Sequence, residues 1–306
     1  MNTSTARERR SKPGFAGKPK KRHRNDNHDI RIVTDSTCDL PEELTKQLEI
    51  TVVPLHINQG DNTYLDGINL SREEFYRQLP GYQPSPSTAT PGPDAFTKVY
   101  NQLADEGAQA ILSIHISETL SATINAARVA AEQFTRIPVT VLDSSQLSLG
   151  TGFLVEKAAL LAQTEKKVEE IVSSLQEVMK RTYVFASIKT LEYLRRSGRM
   201  NFAIAKFGEL LQIKPLLHMN MGKATAHRTR TQKRATARLM EWLNEYAPYE
   251  KLAILHAGVH EEAKALYEQA SSLFPQGEEI LIVQITPALG AHLGIGALGF
   301  ACISKE

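Results

Sequence analysis

Cysteine is nearly missing from this chain. Cys38 and Cys302 are the only two among 306 residues, and no Cys-x-x-Cys occurs. That excludes a disulfide framework and a thiolate zinc site, and it points to a reducing, cytoplasmic compartment. No stretch approaches 18 uninterrupted apolar residues, so no membrane span is expected. Several chemistries lack their signatures as well. There is no G-x-x-x-x-G-K-[ST] phosphate loop, no G-x-S-x-G elbow and no H-E-x-x-H helix. One G-x-G-x-x-G does occur, "GIGALG" at Gly294 to Gly299. Too little chain follows it for a crossover helix and a ribose-binding acid, so its glycines are expected to allow close backbone approach near His292. The nine histidines show no metal-ligand spacing, and no metal or cofactor is expected. His115 falls in an apolar strand and reads as satisfied core. His256 and His260 straddle a strand–helix turn and carry no assignment. His292, placed in a Gly-rich loop before the final strand, is open to a functional role.

What is present begins with uneven charge. The net is +2, yet residues 1–29 hold nine Lys/Arg against three Asp/Glu, and the remainder holds 27 against 31. The opening, "ARERRSKPGFAGKPKKRHR", has little to bury and lacks the apolar core of a signal peptide. Residues 1–28 therefore read as a basic disordered tail, a solubilising extension with at most weak attraction to anionic surfaces. The rest shows no basic face that reads as a specific nucleic-acid surface.

From Ile30 to about Gln163, β-like and helical runs alternate. "IRIVT", "ITVVPLHI", "AILSIHI" and "PVTVLD" read as strands. "LPEELTKQL", "SREEFYRQL", "DAFTKVYNQLADEG", the run from about Ser121 and "GFLVEKAALLAQ" read as helices, the first with Asp39 as its N-cap. Alternation of this kind predicts βαβ units on a parallel sheet. Leu120, Ile124, Ala127, Ala131 and Phe134 form one helical stripe facing that sheet. Past Lys166 the rhythm changes: helix "VEEIVSSLQEVM", strand "TYVFASI", then "TLEYLRRSGRM" and "AKFGELLQ", and a hairpin turning at Met221-Gly222. A helix at 232–246, strand "KLAILHA", a helix from Glu261, and strands "EILIVQI" and "ALGFACIS" follow. The fold class is thus α/β: an N-terminal three-layer domain over 29–165 and a C-terminal α+β domain with a mixed sheet over 166–306.

Three strand-to-helix junctions are rich in hydroxyls: "VTDST" (33–37), "SETLSAT" (117–123) and "LDSSQLS" (142–148), with "PSTATP" (86–91) nearby. Caps and turns use these residues routinely. Three such junctions on one sheet go further and predict a polar cleft, because ligands bind beyond the carboxyl ends of parallel strands. Helix N-termini and hydroxyl donors there favour an anion. Spacing alone does not name it.

In order along the chain, "RIVTDSTCDLPEEL", "ITVVPLHI", "YLDGINLSREEFYRQL", "PSTATPGPDAF", "IHISETLSATINAA", "VLDSSQLSLG", "TLEYLRRSGRM", "LLQIKPLLHMNMGK" and "GAHLGIGALGF" resemble the motifs of the DegV family. The resemblance spans about Ile30 to Ser304. It implies a bacterial, cytoplasmic fatty-acid-binding protein with the ligand in a tunnel between two domains. It further implies a carrier, not an enzyme, that presents the carboxylate to a fatty acid kinase subunit feeding phospholipid synthesis. Thr88 and Ser121 match carboxylate-contacting positions, and His292 matches the histidine of the C-terminal loop in the same network. Arg199 matches an arginine supporting head group or interface, and Arg230 one that contacts the kinase. The sequence departs from the pattern at Ala89, where Ser is usual, at Ala122 for Gly and at Ile295 for Pro. Ala89 removes one head-group donor, with Thr90 as a substitute. The alternative is an enzyme, a small-molecule phosphotransferase related to dihydroxyacetone kinase, working at the Asp35-Ser36 and Asp143-Ser144 junctions.

Overall fold

The computed structural model of the protein describes residues 29–164, 166–200, 213–277 and 280–306. The basic tail and the stretch "AKFGELLQ" lie outside them.

The apolar run Ile30–Asp35 is β1, buried along its whole length. It leads through one 3-10 turn to α1 (Glu42–Gln47). Asp39 does not cap α1: it adopts a left-handed conformation (φ 58°) before Pro41, which takes the cap position without a side-chain bond. Its carboxylate is turned elsewhere, as described below. "ITVVPLHI" is two strands, since Pro54 between them offers no N–H to a ladder. β2 (Thr51–Val53) stays with β1, while β3 (His56–Gln59) forms a separate antiparallel sheet with β4 (Asn62–Leu65) and β5 (Ser87–Ala89). Between them, α2 (Arg72–Gln78) starts at Ser71, whose hydroxyl accepts from Glu74 N.

The βαβ rhythm then runs as the alternation predicts: α3 (Pro93–Asp105), β6 (Ala110–His115), α4 (Thr123–Gln133), β7 (Val139–Asp143) and α5 (Leu149–Ala162). The four strands pair in parallel in the order β2-β1-β6-β7. On α4, Ile124, Ala127 and Ala130 are fully buried against one face of the sheet. Leu120 precedes the helix, and Ala131 and Phe134 lie at the margin of the same cluster.

After α6 (Val168–Lys180) come β8 (Thr182–Ser187), α7 (Glu192–Arg196), β9 (Lys214–Asn220), β10 (Lys223–Thr229), α8 (Gln232–Glu245), β11 (Tyr249–His256), α9 (His260–Ala270), β12 (Leu281–Gln284), α10 (Pro287–Leu293) and β13 (Leu298–Ser304). Six of these strands form a mixed sheet ordered β10-β9-β8-β13-β11-β12, antiparallel except for β11 with β12. Met221 and Gly222 take positive φ at the β9–β10 turn, the conformation a two-residue hairpin requires. α5 is buried almost all round because it packs on β1 of the parallel sheet and on β8, β11 and β13 of the mixed one. The layers thus run α3/α4, parallel sheet, α5, mixed sheet, α8/α9.

Candidate functional site

A cavity opens between the parallel sheet's carboxyl end and the inner side of the mixed sheet. Its free space, about 140 Å³, would seat roughly ten water-sized spheres, far more than a packing void. Thr37, Leu55, Thr88, Ile116, Leu120 and Ser121 contribute from the N-terminal half; β8, β9, β11 and α10 contribute most of the rest. Seventeen of the twenty-five lining residues are apolar, and Arg199 is the only Lys, Arg, Asp or Glu among them. Such a wall accepts hydrocarbon and, among the described residues, offers one cation.

Thr88, Ser121, His292 and Arg199 all line this cavity. Thr88 sits mid-strand in β5 opposite Ile57, and strand alternation leaves Ser87 and Ala89 exposed on either side of it. Ala89 is not on the cavity wall, so the residue at that position points away from the site. Arg230 is exposed just beyond β10, also off the wall. His292 is not in a loop but in the last turn of α10, which Gly294 ends at φ +72° with its backbone against the Tyr193 ring. A side chain there would collide with that ring.

The polar atoms differ in how fully they are used. Thr37 Oγ1 donates to Asp35 and Ser148 Oγ to Asp39, so both hydroxyls are committed. Ser121 Oγ shares a 2.8 Å bond with Thr123 Oγ1 and accepts from Thr123 N; with Thr123 donating, the Ser121 proton is free. Thr88 Oγ1 lies 2.9 Å from His292 Nε2. His292 Nδ1 is buried and has no hydrogen-bond partner among the described residues, a condition that native interiors rarely tolerate. Burial pushes the His292 pKa down to about 4, and the nearby Arg199 cation adds to the effect. The ring is therefore neutral at pH 7. If Thr88 donates to Nε2, the Nδ1–H is left over; if Nε2 donates, the Thr88 hydroxyl proton is left over. Either tautomer leaves the pair one unused donor. Arg199 itself gives one bond, Nη1 to Ser197 O at 2.7 Å, and keeps further N–H groups.

The hydroxyl-rich junctions turn out to be mainly structural. Asp35 accepts from Thr37 N, His115 Nδ1 and Ile116 N. Burial alone would raise its pKa, but these bonds hold it below the usual carboxylate range. Tyr100 Oη donates to Ser113 Oγ, which lies 2.7 Å from His115 Nε2. Ser113, His115 and Asp35 thus mimic a nucleophilic triad, yet all three are completely buried and serve as core. Thr119 Oγ1 donates to Gly222 O, and Gly222 N donates to Ser145 O. Thr119 and Ser145, from two of the junctions, therefore dock the β9–β10 hairpin tip, while Ser121 of the first junction lines the cavity.

Sequence reasoning missed a second buried network. Asp39 accepts from Ser148 Oγ at 2.5 Å and from Thr286 N at 2.7 Å, and pairs with Arg72 Nη2 at 3.4 Å. Asp66 accepts from Ser36 Oγ at 2.7 Å and from Thr286 Oγ1. These partners lie up to 247 positions apart, which no local spacing signals.

Comparisons with known proteins place the chain in a family and agree with its fold. The family model described as "Uncharacterised protein, DegV family" matches residues 29–305. Protein DegV of Bacillus subtilis is 33% identical over 281 residues, 90% of this chain and 99% of that protein. A DegV domain-containing protein of Deinococcus radiodurans is 37% identical over 279 residues, 89% of this chain and 97% of its own. Among solved structures, DegV of Bacillus subtilis, described as a fatty acid binding protein, aligns with a TM-score of 0.83 at 31% identity, covering 91% of this chain and all of its own. A Thermus thermophilus DegV family protein, described by its fatty acid binding, aligns at 0.81 and 32%, covering 90% and 100%.

Proposed function

This chain belongs to the DegV family, and from that premise we propose that it binds a long-chain fatty acid in the cavity between its two sheets. The observation that carries the reading is an apolar cavity that has, among the described residues, a single cation and an unpartnered imidazole nitrogen on its wall. A buried methylene contributes about 0.8 kcal/mol, so a sixteen-carbon tail contributes about 12 kcal/mol gross. Association costs about 4–15 kcal/mol, so most of the tail must be enclosed for tight binding. The carboxylate then needs donors, since an unpaired charge in a dry site is expensive. Thr88 with His292, Ser121 and Arg199 supply them.

In this reading the chain is a carrier that does no chemistry of its own. A separate kinase subunit phosphorylates the presented carboxylate, and exposed Arg230 meets that subunit. The division into two units falls at 165/166, between α5 and α6. The phosphotransferase alternative needs a free carboxylate at Asp35, and that group already accepts from three partners.

Purified protein, denatured and extracted with solvent, should release about one long-chain fatty acid per chain by mass spectrometry. A lipid-free preparation that ignores added oleate and palmitate would sink the proposal. With the kinase and ATP, Arg230→Ala should reduce acyl-phosphate formation while leaving loading intact; unchanged transfer would remove Arg230 from the interface.

A further inference from the structure

α10 is only seven residues long. A helix of that length has little stability of its own, so its pose is set by what holds its ends. One end carries His292, whose Nε2 meets Thr88. The other end is gripped from the N-terminal half of the chain. Thr286, the residue before the helix, gives its N–H to Asp39 and its hydroxyl to Asp66. Arg72 fastens the approach by donating to Gln284 O at 2.5 Å while facing Asp39. From the side, Gly290 lies flush against Tyr76 and Phe75, where a Cβ would not fit.

We infer that Asp39 and Asp66 are positioning residues for the head-group site: they fix the start of α10 so that its far end delivers His292 to Thr88 and the cavity. Both carboxylates are 2% exposed or less. Two desolvated acids are a costly way to pin a short helix, and an apolar contact would stabilise the fold at least as well. What the acids add is a defined register, because each accepts from a particular N–H or O–H of Thr286. A slip of one residue along the helix axis would break both bonds and turn His292 off the wall.

The inference rests on the reading of this cavity as a carboxylate site, and the test separates the two. Affinities for oleate and for oleyl alcohol, which has the tail without the charge, are measured on the full chain and on Asp66→Asn, Thr286→Val and Thr286→Ser. Asp66→Asn and Thr286→Val should weaken oleate by about tenfold or more, the scale of one lost hydrogen bond to a charged group. Oleyl alcohol should stay within about twofold, and Thr286→Ser should keep the original oleate affinity. Thr286→Val removes one hydroxyl at constant size, so it carries the test if Asp66→Asn does not fold. Equal losses for both ligands, or no loss for either, would overturn the positioning role. An unaltered chain that binds alcohol as tightly as oleate would instead overturn the carboxylate reading beneath it.

Discussion

His115, fully buried at the end of β6, and His292, half-buried on the cavity wall, sit one in each half of the molecule and differ in one respect. Both nitrogens of His115 are bonded, to Asp35 and Ser113, and the chain continues to Tyr100. One nitrogen of His292 is bonded and the other has no partner among the described residues. The triad-like geometry around His115 is the more enzyme-like of the two, and it is sealed. The lesson is that hydrogen-bond satisfaction separates scaffold from site better than residue type does. Asp66 Oδ1 and Tyr76 Oη are unpaired as well among the described residues, so it is the place of His292 on the cavity wall that makes its spare nitrogen a candidate contact.

This contrast can be broken in order of effect. Asp35→Ala should cost about 3–5 kcal/mol, because it strands His115 Nδ1, Ile116 N and Thr37 N in the interior. Urea unfolding should show that loss while folded protein keeps its fatty-acid affinity; weakened binding with intact stability would place the His115 network in the site. Ala224→Phe, on edge strand β10 and on the cavity wall, should displace several methylenes and weaken oleate by about 3 kcal/mol, over a hundredfold. A calorimetric titration that finds unchanged affinity would put the tail elsewhere. Arg199→Gln should cost about 1.5–3 kcal/mol in oleate binding and almost nothing in stability, since it removes a cation from the cavity wall.

The smallest effect sharpens the contrast by pH. Burial pulls the pKa of His292, His218 and His256 down to about 4, from 6.5. Stability held by these neutral rings is complete above pH 6.5 and lost as pH falls through 4, because the unfolded chain takes up the protons first. Asp39, raised by burial to about 6 from 3.8, runs the other way: its contribution is complete below 3.8 and lost as pH rises through 6. Between pH 6.5 and 4 each histidine adds a slope of at most about 1.4 kcal/mol per pH unit. Urea midpoints at several pH values should therefore flatten in His292→Asn. An unchanged slope would mean that the ring is already hydrated.

Most of the frame was legible in the sequence. β-branched runs between amphipathic helices gave the parallel sheet, and Met221-Gly222 marked the hairpin. The β3-β4-β5 sheet was hidden because its strands have three or four residues, too few to show a period. The resemblance picked out Thr88, Ser121, His292 and Arg199, which the fold collects on one wall, and also Ala89, which faces outward. Asp39 read locally as a cap because acids do cap helices. The left-handed turn that redirects it toward Ser148 and Thr286 depends on packing that no local pattern carries.

The place of β13 in its sheet has a bearing on how the protein is made. β13 lies between β8 and β11, yet it follows both in the chain. During vectorial synthesis the β10-β9-β8 meander and the β11-β12 pair leave the ribosome as two half-sheets with raw facing edges, open to wrong partners. The stretch 287–304 closes that gap and delivers α10 in the same step. A stalled nascent chain that stops short of it would expose sticky edges and lack α10, so the sheet and the α10 side of the cavity are completed together.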